Sequence, residues 1–226
     1  MNIFDQFPTG HSEAGPHPQN PSDHWMVEKA RVFAVAAHEA VKQRRKFTDE
    51  LYPIHTLEVA AEVANSAPDA DVLDIVTAIL HDIIEDTGIT RELIKAEFGE
   101  VVANLVVQLT DVALPEHGNR ALRMAINAVH VKYITVRAKR IKLRDINHNV
   151  RNIAAADPDF GKVYLPEKKN QMIVGEMREA DPVFYDALME FIDEQIIKLN
   201  SKWKPVDPTV LETAEQIVQQ IMANEK

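Results

Sequence analysis

Glycine is scarce in this chain, with only seven residues in a length of 226. Sheet proteins of this size need glycine in their many tight turns, so the scarcity disfavours a β-rich fold. Apolar residues recur at spacings of three and four along most of the chain, which is the period of an amphipathic helix. The sequence therefore predicts an all-α fold, in a chain that is long for one domain and short for two.

The order of the segments predicts three parts. Residues 1–21 contain four prolines and two glycines and have no helical period, so we expect an extended N-terminal arm. A helical main domain is predicted over 22–200, and one more amphipathic helix in the tail over 201–226. The tail helix should pack on the body of the protein or on a partner chain, so a homo-oligomer is one alternative.

Composition excludes several classes of function. The chain has no cysteine, which excludes a disulfide scaffold, a zinc ribbon and a cysteine nucleophile, and fits a reducing cytoplasm. Its net charge of −10 disfavours a general nucleic-acid binder. No apolar run approaches the roughly 20 residues of a membrane helix, and the start lacks the pattern of a secretory signal. We therefore expect a cytoplasmic protein that acts on a small molecule, without a nucleic-acid or membrane partner.

The predicted helix over 71–86 is the most informative part of the sequence. Its apolar residues leave little polar surface, so most of the helix should be buried. Its last turns nevertheless carry His81, Asp82, Glu85 and Asp86. Buried carboxylates are costly unless they are paired or bind a metal. A buried histidine paired with its neighbour would explain His81 and Asp82 alone, but four polar residues at the end of one apolar helix favour a functional site.

Two more residues could complete a metal site. His55 begins the second predicted helix, and Asp145 adds a second carboxylate from a predicted helix over 135–156. Two imidazoles and two carboxylates suit a divalent ion such as Mn²⁺, Fe²⁺ or Zn²⁺. The alternatives are a histidine at a helix start for His55, and a salt bridge to Lys142 or Arg144 for Asp145.

Two groups of basic residues could meet an anionic substrate despite the negative net charge. The first lies at the end of the first predicted helix, which should stop near residue 46, and the second lies on the helix that carries Asp145. A solvated basic face is the commoner use of such runs, but their positions beside the candidate ligands favour phosphate binding. The groups are Arg44, Arg45 and Lys46, and Arg137, Lys139, Arg140, Lys142, Arg144 and Arg151.

Four segments carry a recognisable combination of motifs. They are AH at 37–38 with QRRK at 43–46, YPIH at 52–55, LHDIIEDT at 80–87, and IKLRD at 141–145 with Asn149 and Arg151. Together they resemble the HD-domain phosphohydrolases, and specifically the hydrolase domain of RelA/SpoT homologues and their small stand-alone relatives. The resemblance covers about residues 25–156. The length leaves no room for a synthetase domain beside it, so we expect a hydrolase alone.

The resemblance implies a helical HD-domain fold. It also implies an enzyme that uses a metal-activated water to remove the 3′-pyrophosphate of guanosine tetra- and pentaphosphate, (p)ppGpp. It implies one Mn²⁺ ion on four ligands, two carboxylates that handle the water and the proton, and basic and amide side chains that hold the nucleotide. The ligands are His55, His81, Asp82 and Asp145, the two carboxylates are Glu85 and Asp86, and the substrate-binding set is Arg44, Arg45, Lys46, Asn149 and Arg151.

Three departures from the family pattern fall beside these motifs. Phe47 follows the Arg-Lys loop, Thr56 follows His55, and Arg144 precedes Asp145. All three are expected to alter the walls of the nucleotide pocket. The alternatives are therefore an HD phosphatase for the 2′-phosphate of NADPH or for a deoxynucleotide, and a regulatory HD domain that binds a nucleotide without turnover.

Overall fold

The computed structural model describes residues 21–45 and 49–224, with side chains from Trp25 onward. The all-α prediction is confirmed in these ranges, where extended pairing is limited to one bridge between Arg44 and Leu51. No helix in the described part of the chain has the length and apolar character needed to cross a membrane. The helices are α1 Pro21–Ala40, α2 Tyr52–Ser66, α3 Val72–Leu80, α4 Ile83–Thr87, α5 Arg91–Phe98, α6 Glu100–Leu109, α7 Arg120–Tyr133, α8 Val136–Ala156, α9 Pro158–Val174, α10 Pro182–Lys198 and α11 Pro208–Asn224.

The chain divides into two compact units, Met1–Val107 and Gln108–Lys226. In the first unit α3 packs against α1 and α2, and α4 against α1. In the second unit α7 packs against α9 and α11, and α8 against α9 and α10. The predicted domain over 22–200 includes residues of both units, and its limits stay a prediction. The predicted arm over 1–21 lies outside the described residues except for Pro21, which begins α1.

The end of α1 comes earlier than the sequence pattern indicates. The predicted end near residue 46 is wrong, because the helix stops at Ala40 and Lys42 adopts a left-handed backbone with φ 55°. The Lys42 amide donates to the Glu39 carbonyl (3.0 Å) and the Gln43 amide to the His38 carbonyl (3.1 Å). These two bonds are a Schellman motif, which turns the chain back over the last turn of α1.

The predicted helix over 71–86 is two helices. The helix α3 starts at a capping box between Asp71 and Asp74 and ends before His81. Asp82 leaves the helical conformation with φ −97° and ψ 0°, and α4 begins at the next residue. The prediction of one continuous helix is therefore wrong. The break places His81 and Asp82 at the junction of α3 and α4.

The tail helix α11 packs on the body of the second unit. Its Ala214 and Val218 are fully buried against α7, where they join Ala125, Ile126 and Val129 in one apolar cluster. Of the two alternatives for this helix, packing on the body is the one that the structure shows. A homo-oligomer stays a prediction.

Arg144 is part of the core of the second unit, so the expectation that it shapes a nucleotide pocket is wrong. Its side chain is fully buried, with one guanidinium nitrogen 2.6 Å from Oδ2 of Asp181. The guanidinium carbon lies 3.9 Å from the centre of the Phe184 ring, in cation–π contact. Thr56 is likewise fully buried in the first unit, and its hydroxyl donates to the Pro53 carbonyl at 3.1 Å.

We expect Arg144→Ala to lower the free energy of unfolding of the second unit by about 3–5 kcal/mol, because it leaves the buried Asp181 carboxylate without its cation. Urea denaturation followed by circular dichroism measures the loss. The control is Arg178→Ala, which breaks an exposed ion pair with Asp186 and should cost at most about 1 kcal/mol. Equal losses in the two variants would contradict a structural role for Arg144.

Candidate metal centre

Three of the predicted ligands meet in the first unit. One ligand atom from each of His55, His81 and Asp82 lies within 4.8 Å of the other two. The three residues are only 1%, 1% and 8% exposed. Oδ2 of Asp82 lies 3.0 Å from Nε2 of His81 and 3.7 Å from Nε2 of His55. The arrangement gathers two imidazole nitrogens around one carboxylate oxygen, away from water.

Helix ends position these side chains. His55 lies in the first turn of α2, which Pro53 helps to start. His81 ends α3 and Asp82 precedes α4. An aspartate before a helix usually caps it, but the Asp82 carboxylate makes no capping bond. It accepts instead a hydrogen bond from Tyr52 Oη (2.6 Å) and faces the two histidines.

The hydrogen bonding of His81 suits a metal ligand. Its Nδ1 lies 2.8 Å from the Ala78 carbonyl oxygen, which can only accept, so Nδ1 carries the proton. In the neutral ring Nε2 then presents a lone pair to the Asp82 oxygen. Two lone pairs at 3.0 Å repel unless a cation lies between or beside them. A divalent ion satisfies both groups, and a backbone carbonyl behind a ligating histidine is the usual support of such sites.

Tyr52 contacts the candidate ligands directly. Its hydroxyl donates to Asp82 Oδ2, and its ring centre lies 5.7 Å from that of His55 and 5.0 Å from that of His38. The signal that could have found it is its spacing from His55. Residues three apart share a face of a helix, so Tyr52 and His55 both point at the same site.

Glu85 and Asp86 differ in their surroundings. Glu85 is exposed, whereas Asp86 is half-buried. Burial raises the pKa of the Asp86 carboxyl, and the charge of Asp82 adds to the rise. The polar side chains of Gln43 and Tyr52 and the charge of His38 lower the same pKa and offset part of the rise. The structure therefore places Asp86 near Asp82 and Tyr52, and it exposes Glu85 to water.

Asp145 lies in the second unit. Its Oδ2 is 3.2 Å from Nζ of Lys142, and its Oδ1 accepts a hydrogen bond of 2.6 Å from the amide of Asn149. The salt bridge is the one that the alternative interpretation expects. The role of Asp145 as a fourth ligand rests on the sequence resemblance and stays a prediction.

The remaining predicted substrate residues are exposed or half-buried, or they lie outside the described ranges. The Arg44 guanidinium donates to the Asp49 carbonyl (2.9 Å), and the Arg45 side chain is half-buried. Arg151 is exposed and donates to Asn147 at 2.8 Å. The predictions for Lys46 and Phe47 lie outside the described residues.

Two lysines of the second basic group are not on a solvated face. Lys139 is fully buried and lies 2.6 Å from Glu179, and Lys142 is buried beside Asp145. The prediction that Lys139 binds phosphate is therefore wrong, because its charge is already matched inside the second unit. Arg140 is also committed locally, since its side chain donates to the Ala180 carbonyl at 2.9 Å.

Comparisons with known proteins give the same family. The model of the HD domain family matches residues 30–168. The guanosine-3′,5′-bis(diphosphate) 3′-pyrophosphohydrolase MESH1 of Xenopus tropicalis is 33% identical over 140 residues, which are 61% of this chain and 75% of that protein. MESH1 of Danio rerio is 32% identical over 173 residues, which are 74% of this chain and 92% of that protein.

A solved structure supports the fold. It is described as a metazoan ortholog of SpoT that hydrolyzes ppGpp, and it has a TM-score of 0.54 and 21% identity to this chain. The match covers 92% of this chain and 98% of that one. With the family match over more than half of the sequence and the MESH1 proteins matched over most of their length, the chain belongs to the HD-domain family of hydrolases, in the branch of the small MESH1-like proteins.

Proposed function

We propose that this chain hydrolyses (p)ppGpp and releases its 3′-pyrophosphate with the help of one divalent ion. The observation that carries the proposal is the buried cluster of His55, His81 and Asp82, whose ligand atoms lie within 4.8 Å of one another. The substrate is proposed from the MESH1 relatives, whose names state this activity.

The ion is proposed to be Mn²⁺. The cluster mixes imidazole nitrogen with carboxylate oxygen, a donor set that suits ions of intermediate hardness and includes no thiolate. His55, His81 and Asp82 would hold the ion, and Asp145 is the proposed fourth ligand. When bound, a divalent ion lowers the pKa of water and polarises a phosphoryl oxygen.

The two carboxylates of α4, Glu85 and Asp86, are proposed to have different roles in the reaction. Glu85 is exposed, and we assign it the role of the base that takes a proton from the attacking water. Asp86 is half-buried with a raised pKa and can orient the water or support the leaving oxygen. Tyr52 holds the Asp82 carboxylate in place through its 2.6 Å hydrogen bond.

The nucleotide would be held by residues of the two basic groups and by Asn149. Arg44, Arg45 and Lys46 are proposed to contact the phosphates or the base, since guanidinium groups pair with phosphate in a bidentate manner. Asn149 is proposed to hold the ribose. Arg151, which is exposed, adds a positive charge on the helix that carries Asn149.

A substrate panel tests the proposed reaction. We expect the protein to release pyrophosphate from ppGpp and pppGpp in the presence of Mn²⁺, and little or nothing from NADPH and deoxynucleotides. Separate assays for phosphate, pyrophosphate and triphosphate make the measurement. Phosphate from NADPH or triphosphate from a deoxynucleotide would transfer the assignment to another HD phosphatase, and binding of a nucleotide without any product would indicate a regulatory domain.

Cellular context and assembly stay predictions. The sequence predicts a cytoplasmic protein that takes part in a stringent response, with a homo-oligomer as one alternative. Fluorescence microscopy of a tagged chain, and light scattering of the purified protein, are the measurements that decide location and assembly.

A further inference from the structure

Asp145 is held at both of its carboxylate oxygens. Nζ of Lys142 lies 3.2 Å from Oδ2, and the amide nitrogen of Asn149 donates to Oδ1 at 2.6 Å. The three residues follow one another along α8 at spacings of three and four, so their side chains share one face of the helix. Asp145 and Lys142 are only 5% and 6% exposed. The carboxylate is therefore a buried group whose direction is set by its neighbours.

Lys142 is itself anchored at the end of another helix. Its Nζ also donates to the Leu109 carbonyl oxygen at 3.4 Å, and Leu109 is the last residue of α6. The last carbonyl groups of a helix have no partner within the helix and carry partial negative charge, so they favour a nearby ammonium group. Lys142 therefore contacts Asp145 from a defined position.

Two contacts fix what one contact would leave open. The last side-chain torsion of an aspartate is broad, so a carboxylate with a single partner can still rotate about its Cβ–Cγ bond. Lys142 and Asn149 contact different oxygens, and together they fix the plane of the Asp145 carboxylate. An ionised carboxylate can only accept, so Nδ2 is the end of the Asn149 amide that faces it.

Stability alone does not account for this group of polar side chains. A buried ion pair is often no more stabilising than well-packed apolar residues of the same volume. A polar pair one turn apart adds little to the stability of a helix. The arrangement instead fits a metal ligand with its support, because a carboxylate that binds a metal is in turn hydrogen-bonded by its neighbours.

We propose that Asn149 is a positioning residue for Asp145, in addition to its proposed contact with the ribose. Its amide and the Lys142 ammonium orient the carboxylate as the fourth ligand of the divalent ion. The effect on the ion rests on the proposed function, in which Asp145 is that ligand. The sequence resemblance assigns Asn149 to the nucleotide alone, so an effect on the ion without any nucleotide is the new consequence.

Asn149→Leu removes the donor at nearly constant volume, and Asn149→Ala removes it with a smaller side chain. We expect both variants to bind Mn²⁺ about 10–100-fold more weakly than the native chain in the absence of any nucleotide, the usual effect of losing the partner of a metal ligand. Electron paramagnetic resonance of free Mn²⁺ measures the dissociation constant, and urea denaturation measures the stability of the same samples. Native Mn²⁺ affinity in both variants would refute the positioning role and leave Asn149 with the ribose alone.

Two other asparagines of α8 provide the controls. Asn152 lies one turn further along, where its amide nitrogen is 3.3 Å from Nδ1 of His148, and Asn147 is buried and accepts a hydrogen bond from Arg151 at 2.8 Å. Asn152→Leu and Asn147→Leu should both keep the native Mn²⁺ affinity, although Asn147→Leu should unfold at a lower urea concentration. If Asn147→Leu loses as much Mn²⁺ affinity as Asn149→Leu, the loss is a general effect of weakened packing and the proposal fails.

A double-mutant cycle identifies the ligand through which Asn149 acts. Asp145→Asn should itself weaken Mn²⁺ binding, and Asn149→Leu should then cause little further loss, because the carboxylate that it positions is gone. A full further loss in the double variant, or native affinity in Asp145→Asn, would overturn the proposal. A native chain that binds no Mn²⁺ would refute both this role and the proposed ion. A native chain that passes these binding tests but releases no pyrophosphate from ppGpp would sink the proposed substrate and leave the positioning role standing.

Discussion

Alanine at position 81 or 82 is expected to remove both the bound ion and the activity. His81 and Asp82 are two of three ligands in a buried cluster, with Nε2 and Oδ2 only 3.0 Å apart. Loss of either leaves too few donors to offset the cost of dehydrating a divalent ion in a buried site. Metal analysis by mass spectrometry and pyrophosphate release from ppGpp measure the two effects, and turnover should fall to background.

A histidine elsewhere provides the matched control for this pair. His130 is half-buried in the second unit, with its Nε2 3.1 Å from the Gln108 carbonyl, and it has no place in the proposed centre. His130→Ala should keep about one ion per chain and native activity. If His81→Ala binds as much metal as the native chain, the assignment of the centre fails.

Glutamine at position 85 is expected to separate ion binding from chemistry. Glu85 is exposed and is not a member of the ligand cluster, so Glu85→Gln should retain the ion. The amide has the same shape but cannot take a proton, so kcat should fall by about 10²–10⁴, the usual share of general base catalysis. Steady-state kinetics on ppGpp, with metal content measured on the same sample, gives both numbers.

The control for this variant is Glu92→Gln, on the exposed surface of α5 in the same unit. It removes one negative charge without touching the centre, so its kcat should equal that of the native chain. Native turnover in Glu85→Gln would mean that Glu85 has only a structural part, and the role of base would have to pass to another group.

Helix starts are the local features that a short stretch of this sequence specifies best. Thr90, Asn119, Thr135 and Asp181 each stand before a helix, and each side chain accepts a hydrogen bond from a backbone N–H of its first turn. Capping depends on residues three positions apart, so the signal is contained in a short stretch of sequence.

Helix ends and interruptions were predicted less well. The Schellman turn at Lys42 uses a lysine where glycine is usual, and the break at Asp82 follows from the contacts of its side chain rather than from any breaker residue. The helix α9 was not predicted, because Gly161 and Pro166 interrupt its pattern. Such features depend on tertiary contacts that a local pattern does not contain.

Some contacts between distant residues could be predicted from the sequence, and others could not. That His55 meets His81 and Asp82 could be predicted because the three residues match one combination of motifs. The partner of Arg144 could not, because Asp181 is 37 residues away and no pattern links the two. The pairing of His38 with Gln43 was missed although only five residues separate them, because it requires the early end of α1.

Titration of metal-free protein with Mn²⁺ tests the central claim most directly. After removal of metals by a chelator, the protein should release no pyrophosphate from ppGpp. Activity should then rise with added Mn²⁺ and reach a plateau at about one ion per chain, and His81→Ala should stay inactive at every concentration. Pyrophosphate release by the metal-free protein, or a full Mn²⁺ titration that yields none, would contradict a metal-dependent pyrophosphohydrolase built on His55, His81 and Asp82.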